Sequence, residues 1–344
     1  MSETPDFESI TGVGPATAEK LEDAGYKSYR ALATKQASEL ATETDIGEST
    51  CETVIQAARK KADIGGFSSG TEVMERRQKI GKISLLVPEF DELMGGGIET
   101  QAMTEIHGGF GAGKSQVTHQ LAVNVQLDEE YGGLHNRCVF IDTEDTFRPE
   151  RIDDMVRGLD EDIIEHELEK RGIGGSADDP DALEALVDSF LDKIHVAKGY
   201  NTDHQLLLAE NASDVCKENA DTDWPVGLIC VDSLTAHFRA EFVGRGDLAQ
   251  RQQKLNTHLF ELSSAAKEHN CAILVTNQVM DNPDQMFGNP ETPIGGNVLA
   301  HEADFRLWIK NSKDNKRIVN LIDAPNLPDG EVVIKVEGEG VKPD

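Results

Sequence analysis

Gly108-Gly109-Phe110-Gly111-Ala112-Gly113-Lys114-Ser115 is the stretch that decides how this chain is read. It fits the pattern G-x-x-x-x-G-K-[ST] at every specified position. Its glycines, with Ala112, keep side chains out of the way where the backbone must wrap a triphosphate. The amides of such a loop point inward as a concave anion nest. Lys114 then reaches the outer phosphates, and the hydroxyl of Ser115 ligates magnesium. Residues 103–106 read as a short strand, and residues 116–127 as a helix whose positive end faces the phosphates. A glycine-rich turn that matches by chance is the alternative, and strand and helix on either side argue against it. The chain is expected to bind a nucleoside triphosphate.

Outward from that loop, short apolar runs alternate with helical patterns from about Ile80 onward, as a parallel sheet requires. The clearest strands are 138–142, 193–196, 227–232, 272–277 and 305–309, and residues 160–192 read as acidic and helical around a loop at 172–180. Leu228-Ile229-Cys230-Val231-Asp232 is a buried strand ending in a carboxylate, where a phosphate-loop ATPase holds the magnesium water shell. Many core strands end in Asp, so the signal persuades only beside the loop. A second strand ends Phe140-Ile141-Asp142-Thr143-Glu144. A glutamate just beyond the sheet edge can polarise the water that attacks the γ-phosphate; the alternative is a solvated acid. Gln278, which follows Leu274-Val275-Thr276-Asn277, has the donor and the acceptor needed to sense that phosphate and inform the next loop.

Residues 1–64 are helix-forming, with apolar residues at helical spacing around Leu21, Leu32, Ile55 and Ala58. Ile10-Thr11-Gly12-Val13-Gly14-Pro15 has the look of a helix–hairpin–helix: Gly12 and Gly14 make a tight hairpin, and Pro15 suits a first helical position. Its exposed amides can hold one DNA phosphate without reading sequence. A degenerate second copy begins at Asp45-Ile46-Gly47. A helical domain for protein contacts is the other reading, and few lysines flank the hairpin, so DNA binding here is expected to be weak. Residues 65–79 form a linker in which Gly65-Gly66-Phe67-Ser68-Ser69-Gly70 is small and polar apart from Phe67.

The net charge of -30, from 63 acidic against 33 basic residues, argues against nucleic-acid binding when taken alone. It also fits a salt-loving, high-potassium cytoplasm. In molar salt the Debye length is about 3 Å, so repulsion is screened while an acidic surface stays hydrated. Disorder is disfavoured by the apolar runs and a 38% hydrophobic content. Cys51, Cys138, Cys216, Cys230 and Cys271 are scattered and read as reduced thiols of a cytosolic protein. No apolar run approaches membrane-spanning length and the amino terminus is polar, so no membrane and no export signal is expected.

These pieces, in this order, resemble the RadA recombinases of archaea and their eukaryotic strand-exchange relatives, within the wider RecA family, over essentially the whole chain. The most specific segments are Thr143-Glu144-Asp145-Thr146-Phe147-Arg148-Pro149-Glu150-Arg151-Ile152, Val231-Asp232-Ser233-Leu234-Thr235-Ala236-His237-Phe238-Arg239-Ala240-Glu241, and Pro293-Ile294-Gly295-Gly296-Asn297. Val243-Gly244-Arg245-Gly246 and Arg251-Gln252-Gln253-Lys254-Leu255 are similar to the family's first DNA loop and the helix after it. The resemblance implies a RecA-like phosphate-loop ATPase core with a mostly parallel sheet over residues 80–344, preceded by a small all-α helix–hairpin–helix domain. It also implies ATP and Mg2+ as cofactors, with K+ a further candidate, and single-stranded and homologous double-stranded DNA as partners. Glu144 would be the catalytic base, Gln278 the γ-phosphate switch, and Arg151 the residue stacked on adenine. Arg239, Arg245 and Arg251 would approach DNA, and residues 280–297 would be the second DNA loop. Phe67 would dock in a neighbouring subunit, Asp323 and Pro325 would cap ATP held by the adjacent protomer, and His301 would lie near the triphosphate. The chain departs from the family pattern at Gly109, where an acid is common, at Gly70, where eukaryotic relatives have alanine, and in the acids Glu302 and Asp304 beside His301.

The leading expectation is therefore an ATP-dependent strand-exchange recombinase that assembles with itself as a filament or ring, helped by loading or mediator proteins. A recombination mediator or paralogue that remodels another recombinase's filament is the alternative from a different class. A clock or signalling ATPase of the same superfamily is a third, disfavoured by the DNA-type loops.

Overall fold

The apolar runs are continuous rather than alternating because the sheet they build is covered on both faces. The computed structural model describes residues 6–62, 67–242, 244–281, 291–294 and 296–344. Gly65 and Gly66 of the linker, Val243, and residues 282–290 of the expected second DNA loop lie outside these, as does the side chain of Arg245. The chain divides into two compact units, Met1–Lys79 and Ile80–Asp344.

In the first unit a 3-10 turn, Phe7–Ser9, is followed by helices α1 (Pro15–Asp23), α2 (Tyr29–Thr34), α3 (Ala37–Thr44), α4 (Glu48–Lys61) and α5 (Gly70–Arg77). Gly12 has φ 92°, a conformation that favours glycine, and Gly14 is the extended N-cap whose carbonyl accepts the amides of Thr17 and Ala18. Gly47 plays the same part for α4. Phe7, Leu21, Leu32, Leu40 and Val54 close a small core. Helix α5, stabilised at its start by a Ser69–Glu72 capping box, buries none of its residues within the chain.

In the second unit β1 (Lys82–Ile83) and β2 (Ile98–Glu99) form a short antiparallel pair on either side of α6 (Pro88–Leu93). The remaining strands are β3 (Met103–Gly108), β4 (Arg137–Asp142), β5 (Ile194–Lys198), β6 (Val226–Asp232), β7 (Ala272–Asp281), β8 (Glu291–Pro293), β9 (Phe305–Asn311), β10 (Lys316–Asp323), β11 (Gly330–Glu337) and β12 (Gly340–Pro343). They join in a 10-stranded sheet of order β12-β11-β10-β9-β3-β7-β6-β4-β5, with β8 paired to β7. The run from β9 to β5 is parallel; β10, β11 and β12 extend it antiparallel as hairpins, which the apolar pattern did not announce.

The helices of this unit are α7 (Lys114–Asn124), α8 (Pro149–Arg157), α9 (Glu161–Lys170), α10 (Pro180–Leu191), α11 (Thr202–Asn219), α12 (Ala236–Glu241), α13 (Leu248–His269) and α14 (Gly296–Glu302), added to α6. Strand residues alternate between two cores. Phe140, Cys230 and Leu274 face the core that holds α7 and α8, whereas Ile141, Val231 and Val275 face that of α11 and α13. The five cysteines are free and buried, and no helix of the described residues is long and apolar enough to cross a membrane.

Burial in the second core sets an acid sensitivity. His258 of α13 is 0% exposed, its Nε2 lies 3.1 Å from the Gln205 amide, and burial lowers its pKa from 6.5 to about 4. It is thus neutral in the folded chain and takes up a proton on unfolding. Between those two pKa values the unfolded state binds more protons, so stability is lost as pH falls from 6.5 towards 4, by on the order of 3 kcal/mol in all. His258→Gln should flatten the dependence of thermal stability on pH in that window; equal pH dependence in both proteins would rule the mechanism out.

Candidate nucleotide site

The parallel strands end together, and their carboxyl ends carry the candidate residues, as open α/β sheets place their ligands. Strand β3 ends at Gly108, and the loop 109–113 turns into α7 at Lys114. Gly111 (φ 70°) and Gly113 (φ 104°) have left-handed backbones. At Gly108 an added Cβ would lie 2.1 Å from the Ile309 carbonyl oxygen, so glycine is required by close strand packing. Lys114 is nearly buried, its Nζ donating to the carbonyls of Gly108 and Gly109 at 2.9 Å each. Phe110 stands 97% exposed at the loop's crown.

Asp142 and Asp232 are register partners at the ends of β4 and β6, and both are buried. Asp232 accepts from the hydroxyls of Thr276 on one oxygen and Thr146 on the other, the latter at 3.1 Å. Strand β4 stops at Asp142, two residues short of Glu144. The Asp142 carboxylate instead gathers the following turn, accepting the amides of Glu144 (3.2 Å), Thr146 (3.1 Å) and Phe147 (3.0 Å). Glu144 is carried out of that turn. Its Oε1 accepts from Nε2 of Gln278 at 2.7 Å, and Oε1 of Gln278 accepts from Arg239 of α12 at 2.9 Å. The side chain of Glu144 is open to solvent, yet its carboxyl sits where the surrounding protein desolvates it. That desolvation, then the Asp232 carboxylate, raises its pKa above the ordinary glutamate value, with Lys114 and Arg239 opposing.

Arg151 of α8 reaches back to the start of α7. Its Nε donates to Gln116 at 2.6 Å, and its two terminal nitrogens donate to the carbonyls of Gly338 and Glu337, the latter at 2.6 Å. Asp323 and Pro325 are exposed at the end of β10, where Asp323 pairs with Arg306 near the start of β9, away from the loop end of β3. Arg251 is half-buried on α13, whereas Lys254, one turn on, is paired with Asp203. Of the acids beside His301, Asp304 serves the fold, since its carboxylate accepts the Met103 amide at 2.8 Å. In the first unit Gly12 and Gly14 form the hairpin before α1, and Phe67 of the linker is fully exposed.

The family model described as Rad51 matches residues 76–169 and 182–344. The chain belongs to the Rad51 family. A second model, a SAM-like helix-hairpin-helix tandem, matches residues 5–60 of this Rad51-family chain, in keeping with the paired glycine-capped helices α1 and α4. A protein of Halobacterium salinarum named DNA repair and recombination protein RadA is 61% identical over 98% of this chain and 99% of its own length. Its namesake from Haloferax volcanii is 59% identical over 98% of this chain and 99% of that one. The namesake from Methanoculleus marisnigri is 50% identical over the full length of both.

Sequence reasoning passed over several residues at this edge. Thr146 and Thr276 orient Asp232, Asp142 organises the turn of Glu144, and His119 joins that turn to α7. Only Asp142 left a readable signal, as a strand-terminal acid in the same setting as Asp232; the threonines and His119 occupy positions where any core-compatible residue fits the pattern.

Proposed function

We propose that the chain is an ATP-dependent strand-exchange recombinase, which coats single-stranded DNA as a filament and pairs it with homologous duplex. The observation that carries the reading is the hydrogen-bonded path Glu144–Gln278–Arg239, running along the strand ends from beside the phosphate loop to a cation of α12. Such a path gives DNA held at Arg239 a physical route to the hydrolytic centre. The test is strand exchange between circular single-stranded DNA and homologous linear duplex, with ATP in molar potassium chloride. Joint molecules are expected; intact DNA-stimulated hydrolysis without them would favour a mediator that remodels another recombinase.

The cradle fits its ligand: Gly111 and Gly113 take the left-handed backbone with which such a loop turns its amides inward, and Ser115 and Asp232 offer the hard oxygen donors that magnesium takes. Bound there, MgATP supplies an electrophilic γ-phosphorus and a good leaving group. Lys114 exchanges its two loop carbonyls for phosphate oxygens, with Gly109, Phe110, Gly111, Ala112 and Gly113 presenting backbone amides. Glu144 accepts a proton from the attacking water, and its raised pKa makes it a stronger base than an ordinary glutamate. Gln278, tied to Glu144 on one side and Arg239 on the other, reports the state of the phosphates to the DNA side. Arg151 lies against the first turn of α7 and is assigned to the adenine. Asp323 and Pro325, exposed and remote from their own cradle, are assigned to ATP held by the next protomer, where K+ is a further candidate cation.

Arg239, Arg245 and Arg251 are assigned to the DNA inside the filament, and the amides around Gly12 and Gly14 to a phosphate outside it. Phe67 would anchor one protomer to the next. The sheet offers a receiving edge: β5 is its last strand, and exposed Val196 and Leu207 lie on β5 and on α11 just after it. We assign the protein to the cytoplasm, with loading or mediator proteins as further partners. If the acidic surface is an adaptation to salt, folding and ATPase activity should need high potassium chloride; full thermal stability and activity in 0.1 M salt would defeat this part of the reading.

A further inference from the structure

We propose that His119 is a positioning residue for ATP hydrolysis, locking the turn that carries Glu144 onto the phosphate-loop helix. The inference rests on the reading of Glu144 as the base. His119 lies on α7 one turn after Ser115 and is 1% exposed. Its Nδ1 is 2.6 Å from the Ser115 carbonyl oxygen, and its Nε2 accepts the Arg148 amide at 3.2 Å. The tautomer follows from the partners. A carbonyl can only accept, so Nδ1 carries the proton; a backbone amide can only donate, so Nε2 keeps its lone pair. One neutral ring thus satisfies both neighbours, and two aromatic rings pack against it: Phe147 stacks on it at 5.4 Å and Phe140 lies tilted at 5.3 Å.

The segment from Asp142 to Arg148 is therefore held at both ends. The Asp142 carboxylate takes the amides of Glu144, Thr146 and Phe147, and His119 takes the amide of Arg148. Glu144 projects from between these anchors towards Gln278. A ring that only filled space would need neither hydrogen bond, and α7 has its own backbone bonds without them. What the imidazole adds is a rigid link from the helix that bears Lys114 and Ser115 to the turn that bears the base. An error of about 1 Å in such a placement is enough to cost on the order of a hundredfold in rate.

Two substitutions separate positioning from packing. His119→Phe keeps an aromatic ring in the stack and loses both hydrogen bonds. His119→Gln loses the ring, but its amide oxygen reaches the place of Nε2 and can accept the Arg148 amide. We expect His119→Phe to bind a fluorescent ATP analogue within about threefold of the parent while its kcat for DNA-stimulated hydrolysis falls by about ten- to a hundredfold. His119→Gln should recover much of that loss despite the poorer packing. In a Glu144→Gln background, adding either substitution should lower the residual rate no further, because the residue acts through Glu144. The proposal is overturned if His119→Phe hydrolyses ATP at the parental kcat, if KM rises with kcat unchanged, or if the effects of the two positions multiply. Should His119→Phe fail to fold, His119→Gln and His119→Ala decide: near-parental kcat in the first beside a roughly tenfold or greater loss in the second supports the link, and equal kcat in the two refutes it. Normal turnover by Glu144→Gln alone would instead remove the base assignment.

Discussion

Lys114→Ala is expected to weaken nucleotide binding by roughly a hundredfold or more, whereas Glu144→Gln is expected to keep ATP bound and stall its hydrolysis. The two substitutions act on neighbouring parts of one site and should fail differently. Lys114 is the cation nearest the loop carbonyls, folded into the cradle at 2.9 Å from two of them. Losing its charge-assisted contact to phosphate costs about 3 kcal/mol, roughly a hundredfold in affinity. The glutamine at 144 retains an oxygen to accept from Gln278, so the local geometry survives, but it cannot take a proton. A fall in kcat of about a hundred- to ten-thousandfold follows from losing a positioned general base. Filaments formed by the glutamine variant should then persist, since hydrolysis no longer weakens them. Equilibrium nucleotide binding and single-turnover hydrolysis distinguish these outcomes. Normal turnover by Glu144→Gln would take Glu144 out of the mechanism.

Phe67→Ala is the second large effect, and it separates a filament former from a solitary ATPase. Phe67 is fully exposed, and the helix α5 that follows it three residues later buries nothing within its own chain. An aromatic ring so placed has no use in a monomer. Burying it in a partner is worth roughly 2–3 kcal/mol, enough to decide association at cellular concentrations. The variant should be a folded monomer that binds ATP weakly and forms no filament. If ATP sits between protomers, DNA-stimulated hydrolysis should fall as well, although Phe67 touches neither ligand. Sizing chromatography with light scattering, with ATP and DNA present, gives the answer: assemblies of unchanged size would make the linker a tether and place the contact elsewhere.

Much of this was legible in the chain because backbone demands are written in residue type. A glycine-rich loop before a lysine, runs of apolar residues too continuous for a one-sided sheet, and a strand-terminal Asp232 together specify a phosphate-binding α/β core before any coordinates. The hairpin at Gly12 and Gly14 was legible for the same reason, since a left-handed turn followed by a capped helix leaves glycines and a proline behind. The antiparallel strands β10 to β12 were not, because little of them is buried: of Lys316 to Asp323 only Val319 and Leu321 enter the core, too thin an apolar pattern to stand out from the connections around it. Nor were the links that make separate residues into a site. That Glu144 meets Gln278, that Gln278 meets Arg239, and that His119 closes the turn between Asp142 and Arg148 depend on side-chain direction across 134, 39 and 29 residues of sequence. The two hydroxyls on Asp232 are of the same kind. Threonine in a strand or a turn is ordinary, and only the fold shows that both point at one carboxylate.

Binding of nucleotide and DNA by an assembly, rather than by a single chain, is the property on which the proposed function stands or falls. Electron microscopy of the protein with single-stranded DNA and a non-hydrolysable ATP analogue, in molar potassium chloride, tests it most directly. Continuous helical filaments along the DNA, dependent on the nucleotide, are expected. Isolated particles on the DNA, or none, from protein shown to bind the analogue under the same conditions, would contradict it.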